Sequence, residues 1–351
     1  MTPLLFGIAL VSLPFSYLCV GRYRLWAEKR RILDLPNERG AHTRPVPRGG
    51  GIAIAIVSLL GVWSVFSRVA VGNAWRALLA YTLGAVLIAI ISWLDDLRSL
   101  PSPVRLAAHS LGAGIALAGV GYWSGLNLPL FGSVPLGRFG IVVTFVWIVG
   151  LTNAYNFMDG IDGIAGAQAV IAGLGWALLG WHRQETLVAA LGVLLATTSL
   201  GFLGYNWPPA RLFMGDVGSA FLGYSFALLP LLYGRIPGGG DSGGAPLLGA
   251  LLVWPFLFDT TFTLLRRLSR RENVFSAHKT HLYQRLVSVG RSQRSVTMLY
   301  SVLALTGPAL GAVWSPDSAS GNVPGSLIVP LLCFGLWAYV RSREQKGWLN
   351  S

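Results

Sequence analysis

Chemistry is concentrated in one stretch of this chain, Asn153-Ala154-Tyr155-Asn156-Phe157-Met158-Asp159-Gly160-Ile161-Asp162-Gly163-Ile164-Ala165-Gly166. It closes one apolar run and opens another, so two asparagines, two carboxylates and three glycines stand where one bilayer-spanning helix would end and the next begin. Polar side chains are costly there, and ionisable groups at membrane depth are functional-site candidates. A plain polar turn would need neither both Asp nor both Asn. Two further carboxylate positions share the setting. Ser92-Trp93-Leu94-Asp95-Asp96-Leu97-Arg98 puts two acids side by side at a helix end, where they repel unless a cation offsets them. A divalent metal or a proton-accepting role accounts for the pair, and a solvated helix end is the bland alternative. Asp216 lies between Gly215 and Gly218, with uncrowded backbone. This suits Mg²⁺, which takes few protein ligands and keeps waters and substrate phosphates.

Basic side chains supply the opposite charge. In Asp34-Leu35-Pro36-Asn37-Glu38-Arg39-Gly40-Ala41-His42-Thr43-Arg44-Pro45-Val46-Pro47-Arg48-Gly49-Gly50-Gly51, prolines stiffen the loop and the glycines admit close backbone approach. Arg44 and Arg48 suit a phosphate, and equally an anionic lipid headgroup. Arg105 and His109 lie four residues apart on one helix face; Arg105 either binds phosphate or snorkels. Ser276-Ala277-His278-Lys279-Thr280-His281-Leu282-Tyr283-Gln284-Arg285-Leu286 reads as an anion-binding lid opposite a metal-binding floor. The His pair could instead take a metal, but no Cys accompanies it and the carboxylates already supply hard oxygen ligands. Asp259, inside an apolar run, suits an internal hydrogen bond as well as a direct role.

The elements that position these groups are transmembrane helices. The 351 residues are 53% hydrophobic, with mean hydropathy +0.58 and 12% charged residues, against roughly 25% charged in soluble domains. Apolar runs near the roughly 20 residues needed to cross a bilayer number eleven, at about 3–21, 49–68, 74–93, 104–122, 139–157, 163–181, 186–204, 212–233, 244–265, 297–314 and 324–340. The first has no basic segment before it and no clear cleavage site, so it reads as a retained span. With the N-terminus outside, loops 22–50, 94–105, 205–212, 266–297 and the C-terminal tail carry 22 of the 27 Lys and Arg. The positive-inside rule makes that face cytoplasmic, together with the 155–163 turn. The net charge of +13 is therefore read as orientation first and anionic ligand second, not as nucleic-acid binding. Segment 127–140 reads as a short extracytoplasmic hairpin. Cys19 and Cys333 lie in apolar runs with no metal-type spacing.

From the residues alone, Asp95, Asp96, Asn156, Asp159, Asp162 and Asp216 face Arg44, Arg48, Arg105 and His281 at one membrane surface. This suits Mg²⁺-assisted phosphoryl transfer from a soluble phosphate donor to a lipid acceptor. Asn153, His278 and Arg285 join the three arginines as candidate substrate contacts. An ion-coupled transporter is the rival; it would hold its acids in mid-span and show repeated halves, whereas these acids lie at run ends and no repeat is obvious. A non-catalytic scaffold would not need both the Asp pair and Asp216.

The Pro-Arg-Gly-Gly-Gly loop, Asp95-Asp96, the Asn153 to Gly163 motif, Met214-Gly215-Asp216 and the His loop occur in that order over nearly the whole chain. In this the chain resembles the polyprenyl-phosphate N-acetylhexosamine-1-phosphate transferases, the superfamily of the bacterial phospho-N-acetylmuramoyl-pentapeptide translocase. The resemblance implies an all-α polytopic domain over 1–351, in the bacterial inner membrane with its active site at the cytoplasmic face. It implies transfer of a sugar-1-phosphate from a UDP-N-acetylhexosamine to undecaprenyl phosphate with release of UMP, and an assembly in which a homodimer is open. Mg²⁺, with Mn²⁺ as substitute, would be held by Asp216 and Asn156. Asp95 would accept the lipid phosphate's proton or act on that phosphate, with Asp96 a catalytic candidate in the same motif; Asp159 and Asp162 would shape the nucleotide and metal site, and His281 would contact the diphosphate. The Pro36-Asn37-Glu38-Arg39 and His loop sequences resemble most the branch that starts O-antigen and related surface glycans. Two departures stand out: Ser99 occupies a position often held by a third Asp, and Tyr283 and Gln284 stand where other branches carry further His.

Overall fold

The computed structural model describes residues 1–34, 45–67, 74–128, 131–233, 243–273, 279–313 and 323–349. A helix satisfies its own backbone hydrogen bonds, which is why apolar runs meant for lipid fold this way. All eleven predicted runs are occupied by helix. In chain order the helices are α1 (Thr2–Arg30), α2 (Gly51–Phe66), α3 (Ala74–Arg98), α4 (Ser102–Gly119), α5 (Gly140–Met158), α6 (Ile164–His182), α7 (Thr186–Asn206), α8 (Gly215–Tyr233), α9 (Ala245–Leu252), α10 (Trp254–Ser269), α11 (Leu282–Ser288), α12 (Gln293–Val313) and α13 (Val323–Leu349). Among the described residues seven helices are long and apolar enough to cross a membrane, and the α9–α10 pair makes an eighth if counted as one span. The described residues also form two short antiparallel ribbons: β1 (Leu33–Asp34) with β2 (Val46–Pro47), and β3 (Gly125–Leu128) with β4 (Gly132–Pro135). The second overlaps the hairpin expected over 127–140 but starts two residues earlier, and Gly137–Phe139 forms a 3₁₀ turn leading into α5.

Helix α8 is the central post, with every residue from Val217 to Tyr233 buried. It packs against α2, α3 and α5, so the elements bearing the carboxylates meet around it. Its start is pressed against the start of α2: a Cβ on Gly51 would overlap the Gly218 Cα. Small residues at such crossings let helix backbones approach where lipid gives no hydrophobic drive. Outer helices turn large side chains such as Phe6, Leu10 and Leu331 outward, a surface that suits lipid and would be a liability in water.

Two expectations are corrected. Helix α1 runs nine residues past the predicted run 3–21, through the basic segment, with an Arg24–Glu28 pair one turn apart supporting the extension. The run 244–265 is not one straight helix: α9 and α10 meet at an angle of 84°. Pro255, in the first turn of α10, cannot donate a helical hydrogen bond back into α9. At the break the Phe256 N–H turns to the Val253 carbonyl at 3.1 Å, and the Leu252 carbonyl accepts from Gln168 Nε2 of α6 at 2.9 Å, so that carbonyl is not left unpaired at membrane depth.

Candidate active site

The last turn of α3 carries Asp95 and Asp96, and the two adjacent side chains have different partners. Asp96 reaches α8, where its Oδ1 accepts from the Asp216 N–H at 3.0 Å and its Oδ2 from the Val217 N–H at 3.1 Å. It thus caps α8 from 120 positions away, using N–H groups that a helix start leaves unpaired. Gly215, at φ +74°, makes this possible, because any Cβ there would strike the Asp96 carboxylate. Asp95 accepts from the Leu100 N–H and, through Oδ2, from Arg105 Nη1 at 3.1 Å. The same Arg105 nitrogen reaches Asp216 Oδ2 at 3.0 Å. One guanidinium on α4 therefore bridges acids from α3 and α8, a charge-assisted arrangement. The Asp95 side chain is nearly buried, whereas Asp216 and Arg105 are each 32% exposed.

The Asn153–Gly163 stretch completes the rim. Asn156 donates from Nδ2 to Ser219 Oγ, one turn into α8, at 3.0 Å, leaving its carbonyl oxygen as the atom able to take a cation. Asp159 ends α5. Protein packed around its carboxyl removes water, and the charges of Asp216, Asp96 and Asp162 add repulsion, so its pKa lies well above the ordinary carboxylate value. The residue as a whole keeps part of its surface. Asp162 acts as a brace: its Oδ2 accepts from the Ala210 N–H at 2.8 Å, its N–H donates to Gln293 Oε1 at 2.8 Å, and its carbonyl accepts from Thr297 Oγ1 at 2.7 Å. Gly163, at φ +79°, turns the chain into α6 and donates to Asn206 Oδ1 at 2.9 Å. Asn153, half-buried, donates to the Val149 carbonyl of its own helix at 2.7 Å. Arg48, in the loop entering α2, is anchored through its carbonyl to the Tyr23 hydroxyl at 3.0 Å, and its charge acts on Asp96.

His281 caps α11 and is 4% exposed. Its Nδ1 lies 3.2 Å from Asp259 Oδ1, and Asp259 also accepts from the Leu282 N–H (2.8 Å), the Tyr283 N–H (3.1 Å), Tyr300 Oη (2.6 Å) and Thr263 Oγ1 (3.2 Å). The Tyr283 hydroxyl in turn donates to the Phe157 carbonyl at 3.0 Å, and the Phe157 and His281 rings lie 6.3 Å apart. His281 is thereby fixed against the Asn153–Gly163 stretch. Of the two readings left open for Asp259, the structure takes the first, as the hub that seats the His281 turn.

Arg285, expected among the substrate contacts, makes two hydrogen bonds through its guanidinium to Glu344 of α13. Its charge is engaged because α11 packs on the C-terminal helix. Arg44 and His278 lie outside the described residues. Sequence reasoning missed Ser219, Asn206, Gln293 and Glu344. Ser219 carried a signal, since Asp216 and Ser219 lie three apart and a helix brings such positions to one face; the other three meet the site only through contacts far apart in sequence.

Among the described residues no three His, Cys, Asp or Glu side chains are grouped so as to hold a metal by themselves. The oxygen donors present fit a hard cation that takes one or two protein ligands and completes its shell with water and phosphate.

The chain matches the family model for glycosyl transferase family 4 over residues 78–234, the part from α3 to α8 that carries the carboxylates. It is 33% identical over 288 residues to the probable undecaprenyl-phosphate N-acetylglucosaminyl 1-phosphate transferase of Bacillus subtilis, covering 79% of this chain and 75% of that protein. To the decaprenyl-phosphate N-acetylglucosaminephosphotransferase of Mycobacterium tuberculosis it is 29% identical, covering 92% of this chain and 86% of the relative. To the phospho-N-acetylmuramoyl-pentapeptide-transferase of Latilactobacillus sakei it is also 29% identical, with 67% and 76% covered.

Proposed function

The chain belongs to glycosyl transferase family 4, within the polyprenyl-phosphate N-acetylhexosamine-1-phosphate transferase superfamily, and from that membership we propose its reaction. It transfers N-acetylhexosamine-1-phosphate from a UDP-N-acetylhexosamine to undecaprenyl phosphate, at the cytoplasmic face of a bacterial inner membrane. The lipid-linked sugar then starts an O-antigen or related surface glycan. The single observation that carries the reading is the Asp95–Arg105–Asp216 bridge. Around it stand Asp96 and Asp159, the charges of Asp216 and Asp96 both acting on Asp159.

The chemistry follows from what these groups can hold. An oxygen of the lipid phosphate forms a bond to the sugar-bearing phosphorus; the bond from that phosphorus to the bridging oxygen breaks, and UMP leaves with that oxygen. Three phosphates and four acids in one place repel, so positioning and charge neutralisation are most of the catalysis. Arg105, already fixed by two carboxylates, offers further N–H donors to a phosphate with little reorganisation. Asp95 accepts the proton if the lipid phosphate arrives monoprotonated. Mg²⁺ or Mn²⁺, held by Asp216 and the Asn156 carbonyl oxygen, would neutralise charge on the diphosphate. His281 offers a ring N–H donor toward the same phosphates, its orientation set by Asp259. No serine or cysteine is needed as a covalent nucleophile.

The test is UMP release from a panel of UDP-N-acetylhexosamines with undecaprenyl phosphate and Mg²⁺. Release that requires lipid and metal, and that falls about a hundredfold or more in Asp216→Asn, is the expected result. Folded protein that releases no UMP from any donor would sink the reading.

A further inference from the structure

A second cationic feature lies where α1 and α7 meet, at the end of α1 that carries its basic residues. Tyr205, in the last turn of α7, crosses α1 at Gly21, where a Cβ would crowd the phenol. Two guanidinium groups sit over its ring: Arg24 Cζ is 5.9 Å and Arg211 Cζ 5.2 Å from the centroid. Arg211 donates to the Gly204 carbonyl at 2.8 Å and has no carboxylate within ion-pair distance among the described residues. Arg24 is paired through its own Nε with Glu28 Oε1 at 3.4 Å, longer and looser than a hydrogen bond, so among the described residues Arg211 carries the charge of this pair that no carboxylate offsets. A ring attracts each cation but does not cancel the repulsion between them. An anion would do both, and would meet the charge that Arg211 leaves unpaired.

Beside these cations a groove of about 420 Å³ runs between α1 and α7, lined by Leu13, Pro14, Tyr17, Leu18, Leu200 and Gly201. The Tyr17 ring, 4.7 Å from that of Tyr205, joins groove to cations. Leu18 and Leu200 are exposed and leave it open to the side. From Pro14 to Arg24 a helix rises about 15 Å, half of the roughly 30 Å hydrocarbon layer. A charged end at headgroup level and an apolar channel ending near mid-bilayer match the length and polarity of one lipid in one leaflet.

We propose that this face binds one anionic phospholipid, its phosphate between Arg24 and Arg211 and an acyl chain along Tyr17 and Leu18. The site is separate from the carboxylate cluster, although Arg211 follows Ala210, whose N–H braces Asp162.

Delipidated protein in detergent is titrated with phosphatidylglycerol or phosphatidylcholine and followed by native mass spectrometry and thermal melting. The expected result is one retained phosphatidylglycerol per chain and a raised melting temperature, with phosphatidylcholine held roughly tenfold or more weakly. Arg24→Gln with Arg211→Gln loses both effects. Leu18→Trp, which fills the groove from a lipid-facing position and touches neither arginine, loses them too, and keeps the test usable if the double variant does not fold. Asp216→Asn retains them. Undiminished binding in the double variant or in Leu18→Trp overturns the proposal, as does equal binding of phosphatidylcholine. So does loss in Asp216→Asn, which would put the lipid in the active site, or a wild-type dimer that Leu18→Trp dissociates, which would make a second copy the occupant.

Discussion

Asp259 and Asp216 are the same residue type in the same membrane protein, and the fold treats them in opposite ways. Asp259 has no exposed surface and is surrounded by donors from α10, α11 and α12. Asp216 is a third exposed, shares one guanidinium with Asp95, and stands among further acids. A saturated carboxylate holds structure, because removing it strands every donor it served. An under-satisfied one stores repulsion that a cation or a phosphate-bound metal can relieve. Asp96 shows that adjacency in sequence does not decide the class, since it caps α8 while Asp95 beside it faces Arg105.

The comparison breaks most easily at its two centres. Asp259→Ala orphans several buried donors at about 1–3 kcal/mol each, so the melting temperature is expected to fall by about 10 °C or more. Asp216→Ala should leave melting unchanged or raise it while removing nearly all UMP release. Equal losses of stability in the two variants, measured in the same detergent, would erase the distinction. A smaller effect tests Arg285, an ion pair that belongs with the structural class. Arg285→Glu alone is expected to cost about 1.5–3 kcal/mol and to lower activity, and adding Glu344→Arg should restore both. If the swapped pair regains stability without activity, Arg285 touches substrate after all.

The smallest effect concerns a third carboxylate, Glu185, which precedes α7. Its Oε1 is buried without a hydrogen-bond partner among the described residues, and burial raises its pKa from 4.5 to about 8, partly offset by Arg183. A raised carboxylate pKa favours the folded state below about 4.5, and that contribution is lost as pH rises through about 8. Glu185→Gln is therefore expected to raise the melting temperature slightly at pH 9 and not at pH 4. A variant stabilised equally at both would show that desolvation of the charge is not the cause.

Much of this was legible in the chain. The apolar runs announced every long helix, since crossing lipid demands some twenty apolar residues in a row and few sequences satisfy that by chance. Carboxylates at run ends marked the rim, because their cost in a membrane has to be offset by function. The break at Val253 was not visible: Pro255 hinted at it, but the bend also needed Gln168, 84 positions away, to take the freed carbonyl. The pairing of Arg285 with Glu344 was not visible either, because Glu344 lies 59 residues on, in a helix read only as the last span.

What the sequence determined by itself was therefore local in origin: helix, lipid exposure, the sign of charge at each end, and which residue types were present to do chemistry. Hydropathy and helical period act over one or two turns, and those properties need nothing more. Tertiary structure decided which acids became caps, which became a brace and which were left facing Arg105. Each of those fates turns on a donor or cation brought from a distant helix to within about 3 Å, a coincidence that no local pattern encodes.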